Sequence, residues 1–228
     1  MFAVLFEVEP KTERRDEYLK LAAFLKPALE KIDGFIDIER FVSAHDKDKV
    51  LSLSLWRDEK SVVRWRTLGV HHEVQAKGRS EIFRDYHLRV GEITADTNLP
   101  AGETPVQFRF DETEIGTAKF VTISEIQPAP ESNPPGGDIL EALGVPDLGT
   151  PGLVGQEMFE SIYNPGKSLL LASWRDASAA GTWKPGIVAG MRHRQVRIIR
   201  DYGMFDRGEA PQYYPPARAG DGSHEMKS

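Results

Sequence analysis

Residues 34–65 read GFIDIERFVSAHDKDKVLSLSLWRDEKSVVRW, and residues 152–183 read GLVGQEMFESIYNPGKSLLLASWRDASAAGTW. The two stretches lie 118 residues apart, and eleven of their 32 aligned positions are identical without a gap. Unrelated segments of average composition would match at about two positions. The same shift places residues 2–10 over residues 120–128, with Phe, Glu and Pro matching in place. The chain is therefore predicted to be a tandem duplication of one unit.

The duplication also predicts the domain organisation. The triplet RDY at residues 84–86 aligns with RDY at residues 200–202 after a deletion of two residues. The stretch that joins the copies is polar, although FRF at residues 108–110 could add a short strand. The C-terminal stretch is polar and rich in Pro and Gly, so we expect its last ten or so residues to be disordered. The expected first repeat, linker, second repeat and flexible tail are residues 1–92, 93–117, 118–206 and 207–228.

Hydrophobic periodicity predicts the elements of the first repeat. Apolar residues at helical spacing indicate a helix at residues 12–32, and a second helix is predicted to begin at Asp58. Alternating apolar residues indicate four strands, at residues 2–9, 35–42, 49–56 and 82–90. The order β-α-β-β-α-β is that of a ferredoxin-like unit.

The second repeat departs from the first at one place. Its first helix would fall on residues 129–151, but PPGG at residues 134–137 cannot continue a helix, so at most residues 138–143 are helical there. A ferredoxin-like unit carries helices on one face of its sheet, and the other apolar face needs cover. We therefore expect an α+β fold in which the two repeats pack together as an internal pseudo-dimer.

Composition excludes several classes of function. The net charge of −6 is a poor match for a nucleic-acid backbone. The absence of Cys excludes disulfide scaffolds, thiolate metal sites and Cys nucleophiles. The apolar run at the N-terminus is short and alternates with charge, which favours a first strand over a signal peptide. No run approaches the roughly 18 apolar residues of a membrane span. We expect a cytoplasmic protein with no membrane and no nucleic-acid partner.

The first repeat resembles the antibiotic biosynthesis monooxygenase (ABM) domain of the dimeric α+β barrel superfamily. The matching features are the strand that opens at Gly34, the strand that ends in WRD at residues 56–58, the helix that carries Trp65 followed by histidine, and the F-x-D-Y strand at residues 83–86. The resemblance covers all of the first repeat and, more weakly, the second. It implies two ferredoxin-like (βαββαβ) repeats packed as an intramolecular dimeric α+β barrel.

The resemblance also implies an activity. ABM oxygenases are mostly cofactor-free and act on electron-rich aromatic substrates such as anthrone-like polyketides. This chain is therefore expected to be a cofactor-independent monooxygenase of a small aromatic or quinol-like substrate, with its site in the first repeat and with neither cofactor nor metal. Such a site needs an apolar cavity, a base, and a donor that stabilises a developing oxyanion.

Candidate site residues gather in the first repeat. His71 or His72 could act as the base, because the pKa of a histidine lies near neutrality. Trp65 and His72 are seven residues apart, so on one continuous helix they would share a face. Tyr86 could donate a hydrogen bond, and Arg79 could bind an anionic group. The expected substrate-binding residues are Arg79, Ser52, Ser54 and Trp56, and the expected catalytic residues are His71, His72, Trp65 and Tyr86.

Other interpretations remain open at this stage. Trp65 is equally suited to a core anchor, and the paired histidines to an exposed helix face. If these residues have only structural roles, the chain is a non-catalytic small-ligand-binding or stress-response barrel. The resemblance also extends to heme-degrading members, which use an Asn on the first strand, a Trp and a helix His. Here the first strand, FAVLFEVE, has no Asn. A metal site from His71, His72, Glu73 and His87 is disfavoured because adjacent helical residues diverge. The residues leave open whether the chain is catalytic and whether the pseudo-dimer forms a further homodimer.

Overall fold

The computed structural model describes residues 1–99, 104–127, 143–186 and 190–210. The first repeat consists of β1 Phe2–Pro10, α1 Arg15–Leu29, β2 Phe35–Ser43, β3 Val50–Trp56, α2 Glu59–Thr67, α3 Gly69–Lys77, a π-helical turn Gly78–Ile82, and β4 Phe83–Asp96. The second consists of β5 Phe120–Ile126, β6 Leu153–Ser161, β7 Ser168–Trp174, α4 Ala177–Thr182 and β8 Met191–Gly203. Residues 138–142 of the predicted helix at 138–143 lie outside the described part, as do residues 211–228 of the predicted tail at 207–228.

The eight strands close into one barrel in the order β1-β3-β2-β6-β7-β5-β8-β4. Each repeat contributes four neighbouring strands, and two seams join the repeats. The seam between β2 and β6 is short, whereas the seam between β4 and β8 runs from the pair His87 and Gly203 to the pair Asp96 and Arg194. The predicted fold, two ferredoxin-like repeats forming an intramolecular α+β barrel, is confirmed.

Strand alternation divides the side chains between the barrel interior and the helix-covered outside. On β3, Leu51, Leu53 and Leu55 belong to the interior cluster, which also holds Leu169 and Leu171 of the second repeat. The intervening side chains of β3 are Ser52, Ser54 and Trp56, which therefore face outward. This outer face of the first repeat is the one that α1, α2 and α3 cover.

Two ion networks inside the barrel repeat the same arrangement. Each joins a buried Glu to an Arg, to a Lys, and through that Lys to a Glu of the other repeat. Burial opposes ionisation of Glu7, yet Arg89 and Lys49 bring its pKa down to about 2. The networks are Glu7, Arg89, Lys49 and Glu157, and Glu125, Arg194, Lys167 and Glu39. The inter-repeat pairs connect the two repeats beside the short β2–β6 seam.

The last strands of the repeats do not correspond as the sequence alignment predicts. Glu7 lies opposite His87, and Glu125 lies opposite Arg192, so β4 and β8 correspond at an offset of 105, from residue 87 to residue 192. The predicted alignment of the two RDY triplets, with a deletion of two residues, is therefore wrong. Between α4 and β8, the described residues of the second repeat contain no counterpart of α3 or the π-helical turn, and this connection is far more than two residues shorter than that of the first repeat.

The connection between the repeats also differs from expectation. β4 continues to Asp96, past residue 92 where the first repeat was expected to end. The predicted strand at residues 108–110 is wrong, because the backbone N–H groups of Phe108 and Arg109 donate to the carboxylate of Glu92 rather than to a neighbouring strand. In the described part of the chain, no helix combines the length and apolarity needed to span a membrane.

Gly34 and Gly152 are equivalent turns, as the repeat predicts. Both have positive φ, +88° and +81°. A Cβ on Gly34 would lie 2.0 Å from Ser61 Oγ, next to the Asp58 carboxylate that caps α2. Only glycine fits a position that combines this φ with so close a neighbour.

Gly34→Ala is therefore expected to lower the free energy of unfolding by about 2–4 kcal/mol, from backbone strain and the clash with Ser61. Chemical denaturation measures the loss. Gly155→Ala is the matched control, because a Cβ at Gly155 meets nothing within 4 Å. Its cost should stay within about 0.5 kcal/mol. Equal losses in the two variants would contradict the assignment of strain to residue 34.

Candidate active site

A cavity of about 800 Å³ lies between the outer face of the first repeat's sheet and its helices. Val4, Phe6 and Ile38 form part of its floor, and Leu25 of α1 and Val62 of α2 part of its cover. Cavities of this size and apolar character hold drug-sized ligands. The cavity also receives side chains from the end of β8 and the residues that follow it, so the second repeat completes its wall.

Trp65 and His71 form one unit in the wall of this cavity. Their rings stack with centroids 4.0 Å apart and planes inclined by 16°. His71 Nδ1 lies 2.9 Å from the carbonyl oxygen of Trp65. A carbonyl can only accept a hydrogen bond, so Nδ1 carries the proton of the neutral ring and the lone pair resides on Nε2.

Burial lowers the pKa of His71 to about 4. The ring is therefore neutral near pH 7, and its Nε2 can accept a proton or a hydrogen bond from a ligand throughout the physiological range. It is a weaker base than an exposed histidine, so it suits a substrate whose proton is already acidic.

The depressed pKa predicts a pH-dependent stability. His193 shares the same lowered pKa of about 4, again because of burial. Unfolded histidine titrates near pH 6.5, so the unfolded chain binds protons first and stability falls as the pH drops from 6.5 towards 4. Each histidine should contribute a slope approaching about 1.4 kcal/mol per pH unit. Urea unfolding of wild type and His71→Gln between pH 7 and pH 5 should show a shallower slope in the variant, whereas identical slopes would contradict the buried neutral ring.

His72 is placed differently from its neighbour. The helix that was predicted to carry both Trp65 and His72 is broken at Leu68, whose backbone is extended at φ −64° and ψ 127°. The expectation that Trp65 and His72 share a helix face is therefore wrong. His71, three residues after the break, stacks on Trp65 instead. His72 is not among the residues that line the cavity.

Tyr86 lies at a polar end of the cavity, together with residues of the second repeat. Arg207 Nη1 donates to Tyr86 Oη at 2.6 Å, and the Arg207 guanidinium lies 5.7 Å from the centre of the Tyr202 ring. Burial, with Tyr86 nearby, raises the pKa of Tyr202 to about 12. The Tyr202 phenol is therefore protonated near pH 7 and can serve as a donor.

Cations outnumber carboxylates along the cavity wall. Among the described residues, the one carboxylate that lines it is Glu59, which is already bound by Arg109 at 2.5 Å. Arg66 forms no ion pair among the described residues, its buried Nε has no hydrogen-bond partner there, and burial lowers its pKa. The lining cations are Lys11, Arg40, Arg66, Arg79, Arg84, Arg200 and Arg207. The cavity thus combines apolar walls with an excess of positive charge.

The remaining predicted substrate-binding residues also line the cavity. Ser54 Oγ accepts a hydrogen bond from Trp56 Nε1 at 2.9 Å. Ser52 forms a hydrogen bond with Tyr18, whose phenol pKa is raised by burial. The structure thus brings Ser52, Ser54, Trp56, Trp65, His71, Arg79 and Tyr86 to one cavity and leaves out His72. His87, considered above for a metal, instead contacts Asp201 at 2.5 Å.

In the described residues of the second repeat, apolar side chains occupy positions equivalent to cavity-lining positions of the first repeat. Leu170 stands where the first repeat has Ser52, and it packs with Ile126 and Leu143. Trp183 stacks 6.0 Å from Trp174 and donates to the Gly144 carbonyl at 2.8 Å. Trp183 directly follows the end of α4. Among the described residues, apolar side chains thus pack against one another where the first repeat has its cavity.

Several cavity residues escaped the sequence analysis. Tyr18 and Arg40 sit in elements that were correctly predicted, but no pattern in a single sequence separates a cavity residue from other half-buried positions. Arg66 follows Trp65 in the sequence. A cation next to an apolar helix face is unusual, so this position is a recognisable signal for a cavity residue. Tyr202 and Arg207 were assigned to the second repeat and the tail.

Three comparisons with known proteins agree with this architecture. The family model "ABM: Antibiotic biosynthesis monooxygenase" matches residues 1–77. "Jasmonate monooxygenase ABM" of Pyricularia oryzae is 41% identical over 224 residues, covering 95% of this chain and the whole of that protein.

One solved structure shows the same fold at low identity. An aldoxime dehydratase superposes with a TM-score of 0.56 at 12% identity, over 86% of this chain and 80% of its own. An antibiotic biosynthesis monooxygenase superposes with a TM-score of 0.37 at 15% identity, over 40% of this chain and 97% of its own. The full-length likeness to the Pyricularia protein and the match to the family model lead to one conclusion: the chain belongs to the antibiotic biosynthesis monooxygenase family.

Proposed function

We propose that this protein is a monooxygenase of jasmonate or a similar small, apolar carboxylic acid, and that the substrate binds in the cavity of the first repeat. The observation that carries the proposal is the composition of that cavity, with apolar walls and an excess of arginine. A relative that is 41% identical along its whole length bears the name of a jasmonate monooxygenase.

The shape and charge of the cavity suit such an acid. The ring and hydrocarbon chain of jasmonate would lie against Phe6, Trp56 and Leu25, and burial of apolar surface is worth roughly 25 cal/mol per Å². The carboxylate would lie towards Arg66 and Arg207, two cavity-lining cations that both lie near the Tyr202 phenol. A guanidinium binds a carboxylate with two parallel hydrogen bonds. Partial burial already lowers the pKa of Arg66, and a bound anion would offset this cost of the charged form.

The proposed chemistry assigns roles to three residues. His71 Nε2 would accept a proton from the carbon that is oxidised, and Trp65 holds the imidazole in place by stacking and through its carbonyl. The Tyr86 hydroxyl would donate to an oxyanion that forms on the substrate. Monooxygenation places one atom of O2 in the product and releases the other as water. Conversion of CH2 to C=O supplies both electrons from the substrate, whereas hydroxylation needs two from an added reductant.

Incubation with jasmonate under ¹⁸O2, with and without NADPH, tests the proposal. A product that gains one labelled oxygen atom supports it, and the dependence on NADPH identifies the source of electrons. Prior dialysis against a chelator should leave the rate unchanged if the reaction is cofactor-independent. Tight binding of jasmonate without any oxygenated product under either condition would contradict catalysis and favour a ligand-binding barrel.

An aromatic or quinol-like substrate is the second candidate. It is favoured by the aromatic rings that line the cavity, among them Phe6, Phe83, Trp56 and Trp65. Anthrone in the same assay separates the two, because a neutral anthrone gains nothing from the arginines. Turnover of anthrone with no turnover of jasmonate would replace the first candidate. Addition of hemin serves as a further check, since a shift of its Soret band would point to heme binding instead.

A further inference from the structure

Residues 204–210 follow β8 and form a short strap along the polar end of the cavity. Met204, Phe205 and Arg207 of this strap line the cavity. The backbone N–H of Met204 donates to the Tyr86 carbonyl at 3.0 Å, and Arg207 reaches the Tyr86 hydroxyl. The strap belongs to the second half of the chain, yet its side chains complete the site of the first repeat.

Glu209 joins this strap to the body of the protein. Its Oε2 accepts hydrogen bonds from Thr113 Oγ1 and from the backbone N–H of Asp201, both at 2.7 Å. Its Oε1 accepts from the backbone N–H of Glu114 at 2.6 Å and, less closely, of Ile115 at 3.4 Å. One carboxylate thus binds β8 and the turn at residues 113–115.

The turn is itself firmly held, so it can serve as an anchor. The Thr113 backbone N–H donates to the Ile198 carbonyl of β8 at 2.8 Å. Thr113 Oγ1 accepts from the Gly116 backbone N–H at 2.9 Å, and the Thr113 carbonyl accepts from Lys119 Nζ at 2.5 Å. A strap tied to this turn has a fixed position relative to the barrel.

We propose that Glu209 is a positioning residue, which holds the strap so that Arg207 presents its guanidinium to the carboxylate of the substrate at the polar end of the cavity. The inference rests on the proposed function for the nature of the ligand. Glu209 is not among the residues that line the cavity, and it acts through Arg207, two residues away. Donors approach both of its oxygens, which an amide cannot accommodate, because one side of a glutamine would present N–H to N–H.

Glu209→Gln tests this inference in the full-length protein, with Glu112→Gln as control. Glu112 is exposed on the segment between the repeats, next to the turn at residues 113–115 that Glu209 binds. Its replacement changes the net charge by the same amount. Isothermal titration with jasmonate and with its uncharged methyl ester provides the first measurement. Glu209→Gln should weaken binding of the acid about tenfold, as expected for one displaced charge-assisted hydrogen bond, and should spare the ester. Glu112→Gln should change neither affinity.

Two further measurements separate positioning from general stability. In an Arg207→Leu background, Glu209→Gln should add no further loss of affinity for the acid, because the two residues act as one unit. Hydrogen exchange of residues 204–210 should accelerate in Glu209→Gln and remain unchanged in Glu112→Gln. Equal losses for acid and ester, or a full additional loss in the double variant, would overturn the inference. If wild type binds neither compound, the proposed function fails, and exchange then decides on Glu209: unchanged exchange in Glu209→Gln overturns its role.

Discussion

Arg66→Met is expected to weaken jasmonate binding by about 10- to 100-fold, the value of a lost bidentate pair between a guanidinium and a carboxylate. Methionine replaces the apolar stem of arginine, so the change removes charge and donors with little change in packing around the stem. Binding of methyl jasmonate should be unaffected, since the ester carries no charge for Arg66 to neutralise.

Arg66 differs from other cations of the cavity wall in having no carboxylate partner among the described residues. Its Nε is buried without a hydrogen-bond partner in the described part of the chain, and no ion pair there satisfies its charge. Arg84, in contrast, is bound by Glu9 at 2.9 Å, and Arg200 lies 3.9 Å from Glu59. A guanidinium that the protein leaves unneutralised has the most to gain from an anionic ligand.

Arg64→Met is the matched control for this experiment. Arg64 lies two residues away on the same helix, pairs with Asp33 at 3.4 Å on the surface, and does not line the cavity. The Arg64→Met substitution removes the same charge at a position outside the proposed site. Equal weakening by the two variants would indicate a long-range effect of net charge. Unchanged jasmonate affinity in Arg66→Met would contradict the placement of the carboxylate.

The sequence predicts the fold because the repeated residues are the ones that build it. Gly34 and Gly152 occupy turns that require positive φ, and Trp56 and Trp174 fill equivalent positions on the outer face of each sheet. Such positions tolerate few alternatives, so they remain recognisable in both copies. The barrel follows, since each unit leaves one apolar sheet face that only another sheet can cover.

The wall of the candidate site is less predictable for two physical reasons. Leu68 turns the chain sharply between α2 and α3, and this break, which places His71 rather than His72 on Trp65, depends on tertiary packing rather than on helical periodicity. Arg207 comes from a segment whose composition indicates a flexible tail. The position of Arg207 follows from the register of the long β4–β8 seam. A gapped alignment of two short triplets does not determine that register.

The inequality of the two repeats leads to a second large effect. Ser52 faces the cavity, whereas its counterpart Leu170 is buried among apolar residues that fill the corresponding space. Ser52→Phe should therefore place a ring in the cavity of the first repeat and lower kcat/KM for jasmonate by about 100-fold, since a displacement of about 1 Å can already cost that much. Ser52→Leu, which copies the second repeat, should have a smaller effect in the same direction.

The reciprocal variant decides which repeat carries the activity. Leu170→Ala opens space in the second repeat and should lower the free energy of unfolding by about 2–5 kcal/mol. It should leave kcat/KM unchanged once circular dichroism and thermal unfolding show that the protein is folded at the assay temperature. Ser52→Phe should show the opposite pattern, because the cavity has room for the ring: activity is lost while the thermal midpoint shifts little. Loss of activity in Leu170→Ala with full activity in Ser52→Phe would move the site to the second repeat, where the wall would have to open to admit a substrate.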